Sequence, residues 1–268
     1  MFSLDTSNGI QNIIMLIRYL SDLHLEFFKP KSIAKFIEQI PLPTPDEICV
    51  LAGDIGIIHS AKESYDIFIK FISNNFKKTF VIPGNHEYYS SRHNMEKTDI
   101  LMEEYFNQFN NVSFLNNKYE IYENYCFIGS TMWSNITDFR YKINDVKNIP
   151  DFNCIKYNEI NKICVDFIKD SISKNDNCIV ITHHMPSETL IHPKYKTLDI
   201  QPYNKWFYCD MDDVIKNNNE KIKVWIYGHT HTPSSVLIHG VPVVCNPIGY
   251  HKENMYNDFN KTVALNLC

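Results

Sequence analysis

Short apolar runs and longer amphipathic stretches alternate along the chain. Runs of roughly four to eight apolar residues are typical of buried strands, whereas apolar residues repeated at helical spacing over a longer stretch are typical of helices. The pattern predicts strands at 13–20, 48–52, 79–82, 112–115, 119–122, 125–129, 178–182, 224–227, 235–239, 241–245 and 262–266. It predicts helices at 33–39, 62–74, 93–109, 155–173 and 211–217.

The order of these elements predicts an α/β protein with mixed sheets. Helices link the strands of the first half, as in parallel sheets, while the later strands follow one another closely, as in hairpins. One such pair, 235–239 and 241–245, is separated by Gly240 alone, which favours a tight turn. We expect residues 1–12 to form a polar N-terminal tail and residues 13–268 to form a single domain.

Composition and charge narrow the class of protein. The chain has 268 residues, of which 44% are hydrophobic, enough to build a sizeable core. Its net charge of −5 argues against a protein that holds extended nucleic acid, because such binding needs a basic surface. The eight cysteines include no C-x-x-C pair and predict buried thiols in a reducing compartment. No apolar run reaches the length of a membrane span, so we expect no membrane association and a cytoplasmic location.

Side chains that can bind metals follow three predicted strands of the first half. Asp22 and His24 come directly after strand 13–20, and residues two apart in extended backbone point to the same side. Asp54 follows strand 48–52 in a glycine-flanked turn, where a carboxylate is well placed for a crevice site. Asn85 and His86 follow strand 79–82. Each motif alone is equally well explained by an ordinary turn.

Two predicted strands of the second half end in histidines. His183 and His184 follow strand 178–182, and His229 and His231 follow strand 224–227 with the same two-residue spacing. Five loops that all carry metal-binding side chains are better explained by one shared metal site than by five unrelated turns. Their mixed nitrogen and oxygen donors suit Mn²⁺, Fe or Zn²⁺ and exceed what one ion needs. The set therefore predicts two divalent ions that share a bridging carboxylate.

These motifs, in this order, resemble the calcineurin-like metallophosphoesterase superfamily. The likeness spans residues 19–231 and rests on Asp-x-His, Gly-Asp, Gly-Asn-His-Glu, a strand followed by His, and Gly-His-x-His. It implies an α/β fold in which two mixed β-sheets pack as a sandwich flanked by helices, with a dinuclear metal centre at one edge. The segment 245–250 (CNPIGY) is similar to a small bacterial-type branch that usually carries Arg where this chain has Ile248, so we expect no phosphate contact there.

The resemblance also implies a role for each matching residue. One metal would be bound by Asp22, His24 and His231, the other by Asn85, His183 and His229, with Asp54 bridging the two. His183 is preferred over its neighbour His184 because it follows the strand directly after Thr182. His86 would lie beside the metals without binding them and would take part in catalysis.

The implied activity is hydrolysis of a phosphate mono- or diester of a small phosphorylated molecule or nucleotide. A hydroxide bridging the two metals would attack phosphorus, and His86 would give a proton to the leaving group. Candidate substrate contacts are His184, Tyr88, Trp133 and Asn246, and Tyr89 and Tyr250 are candidates for stacking on a base or aryl group. The alternative is a packed position for His184 and for the aromatic residues, and a turn role before Pro247 for Asn246. Segments 134–153 and 187–203 are expected to form the pocket walls.

Two other functions stay open on the sequence. A nuclease acting on short nucleic acid could use the same centre, although the acidic charge balance weakens this interpretation. A non-catalytic scaffold of the same fold could bind a protein partner. Such a scaffold would be expected to lose metal ligands or His86, and this chain carries the full set.

Overall fold

The central strands carry apolar residues at almost every position, which requires that both of their faces be covered. The computed structural model describes residues 15–90, 92–250 and 259–267 and shows several of these strands buried along their whole length. The strands are β1 (Met15–Leu20), β2 (Ile48–Ala52), β3 (Lys78–Ile82), β4 (Val112–Phe114), β5 (Lys118–Tyr122), β6 (Tyr125–Ser130), β7 (Cys178–Thr182), β8 (Ile222–Tyr227), β9 (Ser234–Ile238), β10 (Val241–Cys245) and β11 (Ala264–Leu267).

The strands form two mixed sheets, as the sequence predicts. In the first sheet the order is β11-β1-β2-β3-β4, with β1 to β4 parallel and β11 antiparallel to β1. In the second sheet the order is β5-β6-β7-β8-β10-β9. Its four inner strands are parallel, and β5 and β9 pair antiparallel at its two edges.

Helices cover the outer faces of the two sheets. They are α1 (Pro30–Ile37), α2 (Lys62–Asn75), α3 (Met95–Phe106), α4 (Asp145–Asn148), α5 (Cys154–Lys174) and α6 (Asp212–Asn217). Alternate residues of a strand face opposite sides, so Leu51 packs under the helices of the first sheet while Val50 faces the second sheet. Between the sheets, the rings of Phe80 and Phe127 stack with centroids 3.9 Å apart. The result is a sandwich of two sheets flanked by helices.

The element bounds differ from the sequence prediction where local hydrogen bonds decide them. Helix α3 begins at Met95 instead of 93 because the Asn94 side chain accepts a hydrogen bond from the Lys97 amide and caps the helix. Helix α4 was not predicted, because four residues are too few to show a helical period. The hairpin between β9 and β10 is confirmed, with His239 and Gly240 at positive φ as its turn. The N-terminal tail predicted at 1–12 lies outside the described residues.

Two further expectations can be compared with the structure. The seven cysteines in the described part of the chain are all free and buried, which agrees with the predicted thiols. Within that part, no helix is both long and apolar enough to cross a membrane.

A buried ion pair links β1 to the residue that precedes β2, and these two strands carry the first predicted ligands. Arg18 Nε in β1 lies 2.6 Å from Glu47 Oε1, immediately before β2, and both side chains are buried. Arg18 also donates to the Pro41 carbonyl, and the second Glu47 oxygen accepts from the Thr44 amide. This network therefore holds the proline-containing connection between α1 and β2 against β1.

Replacing Glu47 with Ala is expected to destabilise the fold strongly, because the Arg18 guanidinium would stay buried without its counter-charge. The loss of one partner from a buried pair lowers the free energy of unfolding by about 3–5 kcal/mol. Urea denaturation would measure it. As a control, Glu103→Ala removes an exposed pair with Lys118 and should cost less than about 1 kcal/mol. Equal losses in the two variants would contradict the assigned role.

Candidate metal centre

The carboxyl ends of five parallel strands meet at one edge of the sandwich. Strands β1, β2 and β3 of the first sheet and β7 and β8 of the second each continue into a loop that carries predicted ligands. Backbone hydrogen bonds join these loops in pairs, from the Asp22 amide to the Gly53 carbonyl and from the Gly228 amide to the His183 carbonyl. The His183 ring crosses between the sheets, with Nδ1 2.9 Å from the Ala52 carbonyl oxygen.

Three overlapping groups of ligand atoms form where these loops meet, and the group of His24, Asp54 and His86 shares one member with each of the other two. In the first group, Asp22, His24 and His231 place a carboxylate oxygen and two imidazole nitrogens within 4.8 Å of one another. The His24 and His231 Nε2 atoms are 3.0 Å apart, and His231 Nε2 is 3.4 Å from Asp22 Oδ1. The second group contains Asp54, His183 and His229, again within 4.8 Å. Nitrogen ligands of one zinc ion lie at about 2.1 Å from it, so groups of this size suit single ions.

Asp54 lies between the two groups. Its Oδ2 is 3.8 Å from His24 Nε2 in the first group, and its Oδ1 is 3.3 Å from His183 Nε2 in the second. Asn85 joins the second group, because its Oδ1 is 3.1 Å from His183 Nε2. The structure thus brings together all seven side chains that the sequence singled out as metal ligands.

The backbone argument used to group them was wrong. Asp22, His24, His229 and His231 all have positive φ, between 48° and 68°, so they lie in tight turns and not in extended backbone. Their side chains converge because left-handed residues turn the chain sharply after each strand. His229 and His231 consequently point into different groups. Left-handed backbone is costly for residues other than glycine and is typical of functional sites.

The chemical state of the imidazoles fits metal binding. His229 Nε2 is buried and has no hydrogen-bond partner in the described structure. Burial, together with the neighbouring His184 and His183, lowers the pKa of His229 well below its usual value, which favours the neutral form that binds metal ions. His183 donates from Nδ1 to a carbonyl, so its Nε2 faces Asp54 and Asn85. This arrangement of a ligating nitrogen backed by a hydrogen bond at the other ring nitrogen is usual in metal sites.

The carboxylates of the cluster are balanced by protonated histidine. Burial alone would raise the pKa of Asp54, but His183 and His86 outweigh it and hold that pKa well below the usual value. Burial opposes the charged form of the His183 ring, but the neighbouring Asp54 raises its pKa to about 9. Divalent cations can take over the role of these protons.

Glu87, which the sequence placed in a motif without a role, joins two of the loops. Its carboxyl group accepts hydrogen bonds from the Gly84 amide at 2.7 Å and from the Asp54 and Ile55 amides at 3.0 and 2.7 Å. Burial and then the nearby Asp54 raise the pKa of Glu87 to about 8. Gly84 is required here, because a Cβ at this position would lie 2.1 Å from Asp54 Oδ1.

His86 borders the cluster and is held from both sides of its ring. Nδ1 is 3.0 Å from Glu26 Oε1, and Nε2 is 2.9 Å from the Tyr250 hydroxyl. Glu26 also lies 3.3 Å from His24 Nδ1, so one buried carboxylate supports two histidines. Sequence reasoning missed Glu26. Its position two residues after His24 was the sequence feature that could have indicated this role.

Asp145 is a second missed residue. Its Oδ1 accepts hydrogen bonds from Asn85 Nδ2 at 2.8 Å and from the Tyr89 hydroxyl at 2.6 Å. Because the amide nitrogen of Asn85 is held by Asp145, the amide oxygen turns towards His183. The contact spans 60 residues of sequence, so no local pattern could have indicated it.

The structure places the four predicted substrate contacts away from the cavity beside the cluster. Tyr88 is buried with its hydroxyl on Asp99, and Trp133 packs against Tyr157. His184 lies beneath His229 and bonds to the Tyr157 hydroxyl. Asn246 binds the carbonyls of Tyr19 and Asn260. None of the four is among the residues that line the cavity, and packing within the fold accounts for their positions.

A cavity of about 400 Å³ opens beside the cluster. Both segments expected to form its walls contribute, the first through residues 143–145 and the second through residues between 191 and 203. Tyr89 and Tyr250 also line it. Ile248, in the position where the bacterial-type branch usually has Arg, is buried in the core and faces no part of the cavity.

Comparison with known proteins agrees with the fold and shows the family. The family model described as calcineurin-like phosphoesterase matches residues 15–233, so the chain belongs to that family. The uncharacterized protein L509 of Acanthamoeba polyphaga mimivirus is 32% identical over 279 residues, covering 91% of this chain and 95% of that protein. Phosphopantetheinyl hydrolase (PptH) from Mycobacterium tuberculosis has a similar structure, with a TM-score of 0.67 at 14% identity over 95% of this chain and 96% of that one. At this identity the likeness shows the fold alone.

Metal binding is expected to release protons. Because the pKa of His183 is raised to about 9, the ring is protonated at pH 7.5 in the metal-free protein and must lose that proton to bind an ion. Apparent affinity for Mn²⁺ should therefore rise with pH up to about pH 9. Titration calorimetry in two buffers of different ionisation enthalpy measures the protons released. His183→Ala should release fewer and His59→Ala, at an exposed position, the same number. Equal heats in both buffers would contradict the prediction.

Proposed function

We propose that this chain hydrolyses a phosphate mono- or diester of a small phosphorylated molecule with the help of two divalent ions, Mn²⁺, Fe or Zn²⁺. The observation that carries the proposal is the position of Asp54, with one oxygen towards each of two ligand groups. Asp22, His24 and His231 would hold one ion, and Asn85, His183 and His229 the other, with Asp54 contacting both.

The chain's own residues suit this reaction. A bound pair of ions supplies an activated water and positive charge for the phosphoryl oxygens. His86 lines the cavity beside Asp54 and would donate its Nε2 proton to the leaving oxygen. The Glu26 carboxylate holds the Nδ1 proton and the Tyr250 hydroxyl holds Nε2, which together fix the plane of the ring.

The two alternative functions have less support. A nuclease on extended nucleic acid would need basic surface to contact successive phosphates, and the net charge of the chain is −5. A non-catalytic scaffold would have no need for a neutral His229 lone pair directed into a cluster of carboxylates, or for a supported His86 beside it.

Two alanine variants should separate metal binding from catalysis. Asp54→Ala removes the group shared by both ligand sets, so we expect loss of bound Mn²⁺ and of aryl phosphate hydrolysis together. His86→Ala should retain the metal while kcat falls about 10²–10⁴-fold, the usual contribution of a positioned proton donor. Metal analysis and steady-state kinetics on protein purified without chelators measure both, with His59→Ala as control. Full activity in either variant would overturn its assignment.

The pH profile should report the support of His86 by Glu26. Although burial opposes the charged form, Asp54 and Glu26 raise the pKa of His86. As a proton donor, His86 acts in its charged form, so activity falls when the pH rises through this pKa. Glu26→Gln removes a negative charge and should move the alkaline limb of kcat to lower pH, by about one unit. Glu63→Gln, at an exposed site in α2, should leave the limb in place. If the alkaline limb of Glu26→Gln stays in place or moves to higher pH, Glu26 does not raise the pKa of His86 as assigned.

A further inference from the structure

The cavity is lined by two kinds of side chain. Residues of the candidate metal centre, with Asp54, Asn85 and His229 among them, contribute to the lining. Six further lining residues are apolar or aromatic, and we call them the apolar wall: Ile143, Ile191, Tyr195, Ile200, Tyr203 and Phe207. The polar residues Asn144, His192 and Asn204 also contribute beside them. The volume of about 400 Å³ lies in the range of small-molecule pockets, roughly 300–1,000 Å³.

The apolar wall begins directly at the metal centre. The ring of Phe207 lies over the ring of His229, with centroids 4.7 Å apart and planes inclined by 32°. Met185, from the loop that follows β7, lines the cavity beside them, and its amide donates to the Phe207 carbonyl. A substrate with its phosphorus at the centre therefore places its organic group against the apolar wall.

The apolar wall is held in place before any ligand arrives. Three short 3-10 helices build its main segment, at Glu188–Leu190, Pro193–Tyr195 and Gln201–Trp206. The buried Trp206 donates from Nε1 to the Tyr141 carbonyl, and Asn204 donates to the Tyr195 carbonyl. The Tyr208 hydroxyl donates to Glu188. A wall with fixed backbone loses little conformational freedom on binding, which favours recognition of a defined shape.

The charges around the cavity do not suit an anionic organic group. Among the described residues that line it, none is Lys or Arg, and the groups that can carry charge are histidines and the carboxyls of Asp54 and Asp145. The wall segment carries Lys194, Lys196 and Lys205, and none of the three is among the lining residues. Lys194 lies over the Tyr195 ring and Lys205 contacts the Tyr208 hydroxyl. A second phosphate or a carboxylate on the substrate would find no lysine or arginine among the described residues that line the cavity, which is energetically unfavourable.

We propose that the substrate carries a single phosphoryl group on a neutral, largely apolar or aromatic organic group, which packs against the apolar wall. Nucleoside polyphosphates and other esters with additional negative charge are excluded by the same surface. The proposal rests on the proposed function, because it assumes that phosphorus lies at the metal centre.

Binding of two matched phosphonates tests the proposal without relying on turnover. Naphthylmethylphosphonate has a carbon–phosphorus bond that a phosphoesterase does not hydrolyse, and its analogue with a sulfonate on the distal ring differs only in charge at the far end. Calorimetry with the Mn²⁺-loaded protein should show at least about tenfold tighter binding of the neutral compound, since a charge placed in an apolar site is costly. Equal or tighter binding of the sulfonate, or no binding of either compound, would overturn the proposal.

A charge placed in the apolar wall should change this preference. Ile200→Lys is expected to reduce the ratio of the two affinities at least tenfold, because the new ammonium group compensates the sulfonate. Leu198→Lys adds the same charge at an 89% exposed position two residues away and should leave the ratio within twofold. An unchanged ratio in Ile200→Lys, in protein that still binds Mn²⁺, would overturn the placement of the organic group.

Turnover of the corresponding naphthyl phosphates, as monoesters and as methyl diesters, tests the proposed function separately. Hydrolysis without preference for the neutral ester would overturn the inference alone. Selective binding of the neutral phosphonate without hydrolysis of any ester would instead overturn the proposed function and leave the inferred ligand class standing.

Discussion

The arrangement of the site follows from two carboxylates, Asp22 and Asp54, that are buried where the two sheets meet. A buried carboxylate is stable only with positive charge or hydrogen-bond donors beside it. Here the donors are backbone amides of the neighbouring loops, His229 for Asp22 and His86 for Asp54, and the charge comes from imidazoles. The loops of both sheets are thereby drawn together at one edge, and the histidines that satisfy the carboxylates are the same ones that can bind an ion.

The close approach of the loops explains both the glycines and the strained backbone around them. A side chain at Gly84 would collide with Asp54, and one at Gly53 would reach His183 Nδ1 at 2.5 Å. The turns after the strands must be tight enough to keep the side chains within one small volume, so several ligands adopt left-handed backbone. Glu87 compensates by gathering amides that such turns leave without partners. Strain of this kind persists only where surrounding contacts fix it.

The sequence was sufficient to predict the mixed sheets and the proximity of the seven side chains of the cluster, because each of these side chains lies within a few residues of the end of an apolar run. It was insufficient for Asp145 and for the support that Glu26 gives to His86, since these contacts join residues that are 60 positions apart. It left two roles open for Tyr88 and Trp133, which the structure places in the packed core. Aromatic side chains near a site are equally suited to line a cavity or to fill the core, and only the packing of the surrounding helices decides between them.

The same charge balance links metal binding to substrate recognition. Without ions, an approaching phosphate would meet Asp22, Asp54 and Glu26, whose negative charge is only partly offset by protonated imidazoles. Among the described residues, the cavity wall offers no lysine or arginine to attract it. If divalent ions bind here as proposed, anion binding at this site depends on them far more than in a pocket with its own arginine. Under the two proposals above, the phosphoryl group is recognised through the ions and the organic group through apolar contact, so the two kinds of specificity reside in separate parts of the fold.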